Sequence, residues 1–303
     1  MAPVASLERG STLILMTETP AASEAPSITI RDLDKEQQIR VVEELQKEVW
    51  GIPDLEVVPF THLIAAKAAG GVLIGAFDHE SLIGFCYGFP SYEYGQMAHH
   101  SHMLAVKPAY RNFNLGHKLK LAQRDRVVAQ GVSLMTWTFD PLQSLNAYFN
   151  FSKLGVLSDR YYINFYGQDA ASFLHRNGTD RLWVRWLLTG DRVTRRLDDL
   201  RLQHEFERLV PLVEVTDDES PRRHVQAEAL SDDHALIEIP VDINVLQKRE
   251  GEVAGAWREA TRWAFTEALS AGYLIEDFHR RKRGELHFGS YLLSRGKRLG
   301  DFG

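Results

Sequence analysis

Between Val106 and Gly116 the chain reads Val-Lys-Pro-Ala-Tyr-Arg-Asn-Phe-Asn-Leu-Gly, the end of a strand feeding a short loop that opens a helix. The first amides of a helix have no carbonyl to bond within it, and the helix dipole adds a partial positive charge, so such a start can hold an anion. Arg111 supplies a fixed positive charge beside it, and Gly116 allows a ligand close to the backbone. Arg111, Asn112, Phe113, Asn114, Leu115, Gly116 and His117 therefore have the makings of a pyrophosphate cradle. Just upstream stand His99, His100 and His102, the side-chain type that exchanges a proton near neutral pH. Strand alternation predicts His100 and His102 on one face with Leu104 and Val106. No third ligand falls at a telling spacing, so no metal site is expected there.

The elements needed to position these residues are legible on either side. Ile28–Arg31 alternates as a half-buried strand, and residues 34–50 carry apolar positions at helical spacing up to Gly51 and Pro53. A helix over 60–69 ends at Gly70-Gly71. Strands follow over Val72–Phe77 and Leu82–Phe89, as a hairpin, and over His99–Val106. After the loop come a helix over 116–130, a strand over Leu134–Phe139, a helix over Leu145–Leu154 and strands over Tyr161–Tyr166 and Leu182–Leu188. This order implies an α/β sheet of mixed direction. Residues 191–234 are charged and weakly periodic and read as a linker region, with 217–221 and 231–233 as solvated loops. A strand over Ala235–Pro240, a helix over 251–271 and strands over Tyr273–His279 and Leu286–Leu293 then give a second, smaller β-α-β-β unit. Residues 1–27, rich in Pro, Ala, Ser and Thr, read as a disordered arm. The expected division is 1–27, 28–190, 191–234 and 235–303.

The loop resembles the acyl-CoA-binding motif of the GNAT acyltransferase superfamily, V-x-P-x-x-R-G-x-G-[LIV]-G. Val106, Pro108, Arg111, Leu115 and Gly116 fit it. Asn112 and Asn114 stand at the glycines, and asparagine is the best other residue at a left-handed angle. Ala147, Lys153, Leu154 and Gly155 fit the family's late helix. Phe151 occupies the place of the tyrosine that protonates the leaving thiolate, and Tyr148, one turn earlier, is the candidate substitute. The resemblance covers residues 28–188 and is nearest to a branch with an extra C-terminal region and a Trp-Thr-Phe-Asp-Pro-Leu segment, here 137–142.

The resemblance implies a GNAT-like mixed sheet flanked by helices and an acyltransferase that uses acetyl-CoA or another short acyl-CoA. The acceptor is then an amine, of a small molecule or a protein, attacking directly in a ternary complex. It also implies a base on the strand before the loop, with His102 first, His100 next and Glu93 third. An amide near Leu104, Ala105 or Val106 would polarise the thioester oxygen, and Asn146 and Asn150 would hydrogen-bond the coenzyme. The two asparagines and Phe151 also fit a non-catalytic CoA-binding sensor or scaffold of the same fold.

Composition bounds the rest. The 303 residues carry 35 basic against 41 acidic side chains, which argues against a wholly basic nucleic-acid binder. The single cysteine, Cys86, excludes a disulfide framework and reads as an inert buried thiol. No run reaches the roughly 20 apolar residues of a membrane span, and a cytoplasmic location is the expectation. Arg280–Arg283 reads as a solvated hairpin tip. Trp257, Trp263 and Phe265 suit either a core or a homodimer interface.

Overall fold

Short apolar strands alternate with helices along the chain, and the strands join edge to edge. A computed structural model describes residues 26–167, 177–200, 209–225, 230 and 232–302. The arm expected over 1–27 lies outside these residues apart from Pro26 and Ser27, and Ser231 lies outside them too. The first part runs β1 (Ile28–Asp32), α1 (Glu36–Trp50), α2 (Phe60–Ala68), β2 (Val72–Asp78), β3 (Ser81–Glu93), β4 (Gln96–Val106), α3 (Leu115–Ala129) and β5 (Leu134–Phe139). It continues with α4 (Ser144–Ala147), which widens into a π-helical stretch over Tyr148–Leu154, then β6 (Leu157–Tyr162) and β7 (Arg181–Leu187). The second part runs α5 (Asp191–Leu197), β8 (Pro211–Val215), β9 (Pro221–Arg223), β10 (His234–Pro240), α6 (Ile243–Arg249), α7 (Gly251–Ser270), β11 (Tyr273–Arg283) and β12 (Leu286–Arg295).

The twelve strands of the described residues form one sheet, in the order β1-β2-β3-β4-β5-β7-β6-β11-β12-β10-β8-β9. Among the described residues only β4–β5 and β8–β10 are parallel neighbours. The expected β-α-β-β unit is β10, α7, β11 and β12, and it extends the first sheet through β6 and β11 rather than standing apart. Apolar side chains from both parts meet in one buried cluster, with Phe151, Val156 and Trp186 in it alongside Phe265, Phe278 and Tyr291. A second cluster lies on the opposite face of β1–β4, under α1 and α2, around Leu33, Val42, Phe85, Tyr87 and Met103.

Several expectations are corrected. The β3–β4 hairpin is longer than the two apolar runs, because Tyr94 (φ 51°) and Gly95 (φ 79°) make a two-residue turn whose left-handed angles match the strand twist. The strand expected over Tyr161–Tyr166 is β6, four residues earlier. Its polar residues are satisfied by β7: the Ser158 hydroxyl donates to the Trp183 carbonyl (2.8 Å) and Asp159 pairs with Arg185. Ile163–Tyr166 instead turn, with the Asn164 amide donating to Asp180 (3.0 Å). Within 191–234 the structure forms α5, β8 and β9, while 216–220 and 232–233 turn or bend as expected. The basic run does reach a hairpin turn at Gly284, but Arg283 folds back to the buried Glu238 (2.7 Å) and Arg280 lies over the Tyr148 ring (4.1 Å). The Asp140-Pro141 pair ends β5 as a fastening for the C-terminal part. Both Asp140 carboxylate oxygens accept from Arg258 of α7 (2.9 Å each), and the Pro141 carbonyl accepts from the Tyr291 hydroxyl (2.7 Å).

Candidate active site

The parallel ladder between β4 and β5 holds only at His99–Met135 and His100–Thr136. Beyond it the two strands continue for several residues with no sheet bonds between them. The Lys107 amide donates to Ile83 on β3 (2.9 Å). Antiparallel alternation then directs the Ala105 and Met103 amides to β3 as well, and those of Leu104 and Val106 to the open side facing β5. Two of the three amides expected near the thioester thus face the gap. The third, Ala105, is bonded into β3, and its side chain sits in the core under α1 and α2.

The loop after β4 is a 3₁₀ turn over Pro108–Phe113 that hands over to α3 at Asn114. Asn114 adopts φ 56°, the left-handed angle at which asparagine stands in for glycine, while Asn112 has no positive φ. The amides of Leu115, Gly116 and His117 occupy the first turn of α3, where the helix offers no acceptor. Arg111 is exposed and makes no hydrogen bond or ion pair with any other described residue. The open end of the β4–β5 pairing, an unpaired cation and a bare helix start therefore follow one another along the chain.

A bulge interrupts β4. Tyr87 opposes Met103 and Gly88 opposes Ser101, so His102 is the extra residue. This overturns the expected alternation. His100 and His102 do share a face (rings 6.3 Å apart), but it is the face of Met103, Tyr87 and Phe89. Leu104 and Val106 point to the other side, with α3. The His100 Nδ1 is 3.0 Å from the Thr136 hydroxyl, its ring stacks on Trp183 (4.9 Å), and burial together with the neighbouring His102 draws it down to about 3. Burial and the charge of His62 lower His102 as well, although it keeps an exposed edge. Tyr87, pushed up to about 12 by burial, stays protonated, and its hydroxyl is hydrogen-bonded to the His62 Nε2 (3.0 Å). Among the described residues no three His, Cys, Asp or Glu converge as metal ligands.

The other expected residues are spread more widely. Glu93 is buried and paired with Arg185 (2.8 Å) and with Arg160, so its charge is already matched. Asn146 is exposed. Asn150 is buried and accepts from the Trp137 indole (3.3 Å). Phe151 is fully buried between Phe139 and Tyr291. Tyr148 faces β11, lining a cavity of about 240 Å³ with Ser152, Arg196, Asp277, Phe278, His279 and Arg280.

Sequence reasoning passed over a buried polar group behind β4. Lys120 of α3 is 4% exposed and donates to the Ser101 hydroxyl (2.6 Å). Ser101 in turn donates to Gln123 (2.7 Å), whose amide lies 3.3 Å from His99. A lysine on a helix rich in Lys, Arg and Gln gives no signal of burial.

Residues 32–155 match the family profile described as Acetyltransferase (GNAT) family. Over those residues the chain is similar to GNAT domains. The match takes in β4, the Arg111 loop, α3, β5 and the π-helical stretch, and it stops at Gly155, short of β6. No curated protein matches the chain. Solved structures do. The ribosomal-protein-S18-alanine N-acetyltransferase from Escherichia coli is 12% identical, with 53% of this chain and 94% of that one aligned at a TM-score of 0.43. A GNAT family acetyltransferase from Elizabethkingia anophelis with acetyl-CoA bound is 15% identical, over 53% and 97%, at 0.41. An aminoglycoside 6′-acetyltransferase type Ii is 19% identical, over 53% and 97%, at 0.41. No helix among the described residues is long and apolar enough to cross a membrane.

Proposed function

We propose that the protein transfers an acetyl or other short acyl group from acyl-CoA to an amine by direct attack in a ternary complex. One observation carries this reading: the β4–β5 gap opens straight onto the bare start of α3 beside the unpaired Arg111. These residues suit the donor. Arg111 and the Leu115–His117 amides match the charge of a pyrophosphate. The open amides of Leu104 and Val106 would bond the extended arm and the thioester oxygen, where they stabilise negative charge developing in the transition state.

The acceptor amine would approach from the α1–α2 side, along the wall of Tyr87, Phe89, His100, His102 and Trp183. His102 sits on the bulge, with an exposed edge and a lowered pKa, so at neutral pH its ring is free to take a proton. His100 is bonded to Thr136 and too weakly basic to serve, and it positions the wall. We assign the donor and site chemistry to residues 28–190, with 235–303 as a sheet extension that braces β6 and the π-helical stretch. Phe151 favours a second reading, a CoA-binding module without turnover.

Calorimetric titration with acetyl-CoA tests the proposal. Wild type should bind, and Arg111→Ala should weaken binding about tenfold or more, the worth of a charge-assisted bond. No binding by wild type refutes both readings. Binding without transfer to any of a panel of small and peptidyl amines leaves the second.

A further inference from the structure

The Lys120 ammonium lies at the closed end of the β4–β5 gap. The ladder ends at His100–Thr136, and the next residue on each strand is Ser101 on β4 and Trp137 on β5. The Lys120 Nζ touches both, 2.6 Å from the Ser101 hydroxyl and 3.8 Å from the centre of the Trp137 ring. The groups facing it are Ser101 and His99 from β4, Cys86 from β3, Trp137 from β5 and Gln123 from α3 (3.5 Å). None is a carboxylate. The charge also reaches His100 across β4.

A buried ammonium with no counter-ion among the described residues is costly, and an anion that comes and goes would relieve that cost. On the proposed reading an anion does so here, the thiolate released when the thioester breaks. The tyrosine that would meet it is replaced by Phe151, and Tyr148 faces β11. Resting on that reading, we infer that Lys120 is the general acid of the reaction, protonating the departing sulfur from the closed end of the gap. The amine nitrogen forms the new carbon–nitrogen bond. The carbon–sulfur bond breaks with its electron pair on sulfur, and sulfur takes a proton from Nζ. The proton shed by the amine goes to His102, and solvent restores both groups. Burial draws the Lys120 ammonium down to about 8, with the Cys86 side chain pulling upward, so its proton is more readily given than an ordinary lysine's.

The test uses coenzyme A, as the free thiol, bound to the full-length protein, with the ultraviolet absorbance of its thiolate followed against pH. A cation within bonding reach should lower the bound thiol's pKa by about one to three units from that of free coenzyme A. Lys120→Met should bind the coenzyme yet lose the shift, and Lys120→Arg should restore it. An unshifted thiol in wild type overturns the inference without any variant, as does an equal shift in wild type and Lys120→Met. Failure of wild type to bind coenzyme A removes the donor reading and this inference together, and is a different result from binding with an unshifted thiol.

Discussion

Replacing Lys120 by methionine should stabilise the protein, by an amount that depends on pH. In the fold the ammonium drops from the ordinary 10.5 to about 8, chiefly through burial. At about 1.36 kcal/mol per unit, keeping that charge inside costs the folded state roughly 3 kcal/mol. The Trp137 face at 3.8 Å returns about 1–2 kcal/mol, which leaves a net gain for the variant of about 1–2 kcal/mol. The sign follows from proton binding. Below pH 8 folded and unfolded chains both carry the proton, and the cost is fully present. Between 8 and 10.5 the folded chain sheds it while the unfolded chain keeps it, so wild type gains stability with rising pH and the gap closes. Urea unfolding of both proteins at pH 7 and pH 10 reads this directly. The difference at pH 7 should appear as a melting temperature about 4 °C higher for Lys120→Met, and it should fall to less than half at pH 10. A variant less stable than wild type at pH 7, or a gap independent of pH, would refute the reasoning. Since the same substitution should remove the thiolate shift, the two measurements together would show stability given up for activity.

Three further outcomes follow from other contacts. Asp140→Ala strands the buried Arg258 guanidinium and should cost about 3–5 kcal/mol in chemical unfolding; a loss under 1 kcal/mol would mean that α7 does not depend on this pair. Gly88→Ala places a methyl 2.6 Å from the His100 carbonyl oxygen, backbone that cannot step aside, and should cost about 1–3 kcal/mol with disturbance of the bulge. His102 should leave its mark on the rate, which in wild type should hold from neutral pH upward and fall only as the ring takes a proton below about 6.5. His102→Ala should then be about 100-fold slower or more with acetyl-CoA affinity unchanged, and an unchanged rate would remove it as the base.

The parts of the site written in contiguous residues were legible. The Arg111 loop, the left-handed Asn114 and the start of α3 follow from local angles and from unpaired amides, which neighbouring residues settle among themselves. The face assignments around the histidines were not. Alternation reads straight through Ser101, His102 and Met103, and only the pairing with Tyr87 and Gly88, some fifteen residues upstream, shows the extra residue. The same holds for β6, where Ser158, Asp159 and Arg160 look solvated until β7 supplies Trp183 and Arg185. Lys120 is the limiting case, because its burial is decided by two strands and a helix that meet only in three dimensions.

The join between β6 and β11 rests on a single paired position, Ser158 with Ile275, while the side chains around it form one continuous core. Backbone and side chains therefore divide the labour of cohesion unequally at this seam. Its amides should be among the first of the sheet to exchange with solvent, since few bonds need open to expose them. Yet parting the halves would bare Phe151, Phe265, Phe278 and Tyr291 at once, so the seam can breathe without separating. A chain cut after Gly190 would keep every residue of the Arg111 loop and lose the wall behind Phe151, the kind of half that precipitates rather than works.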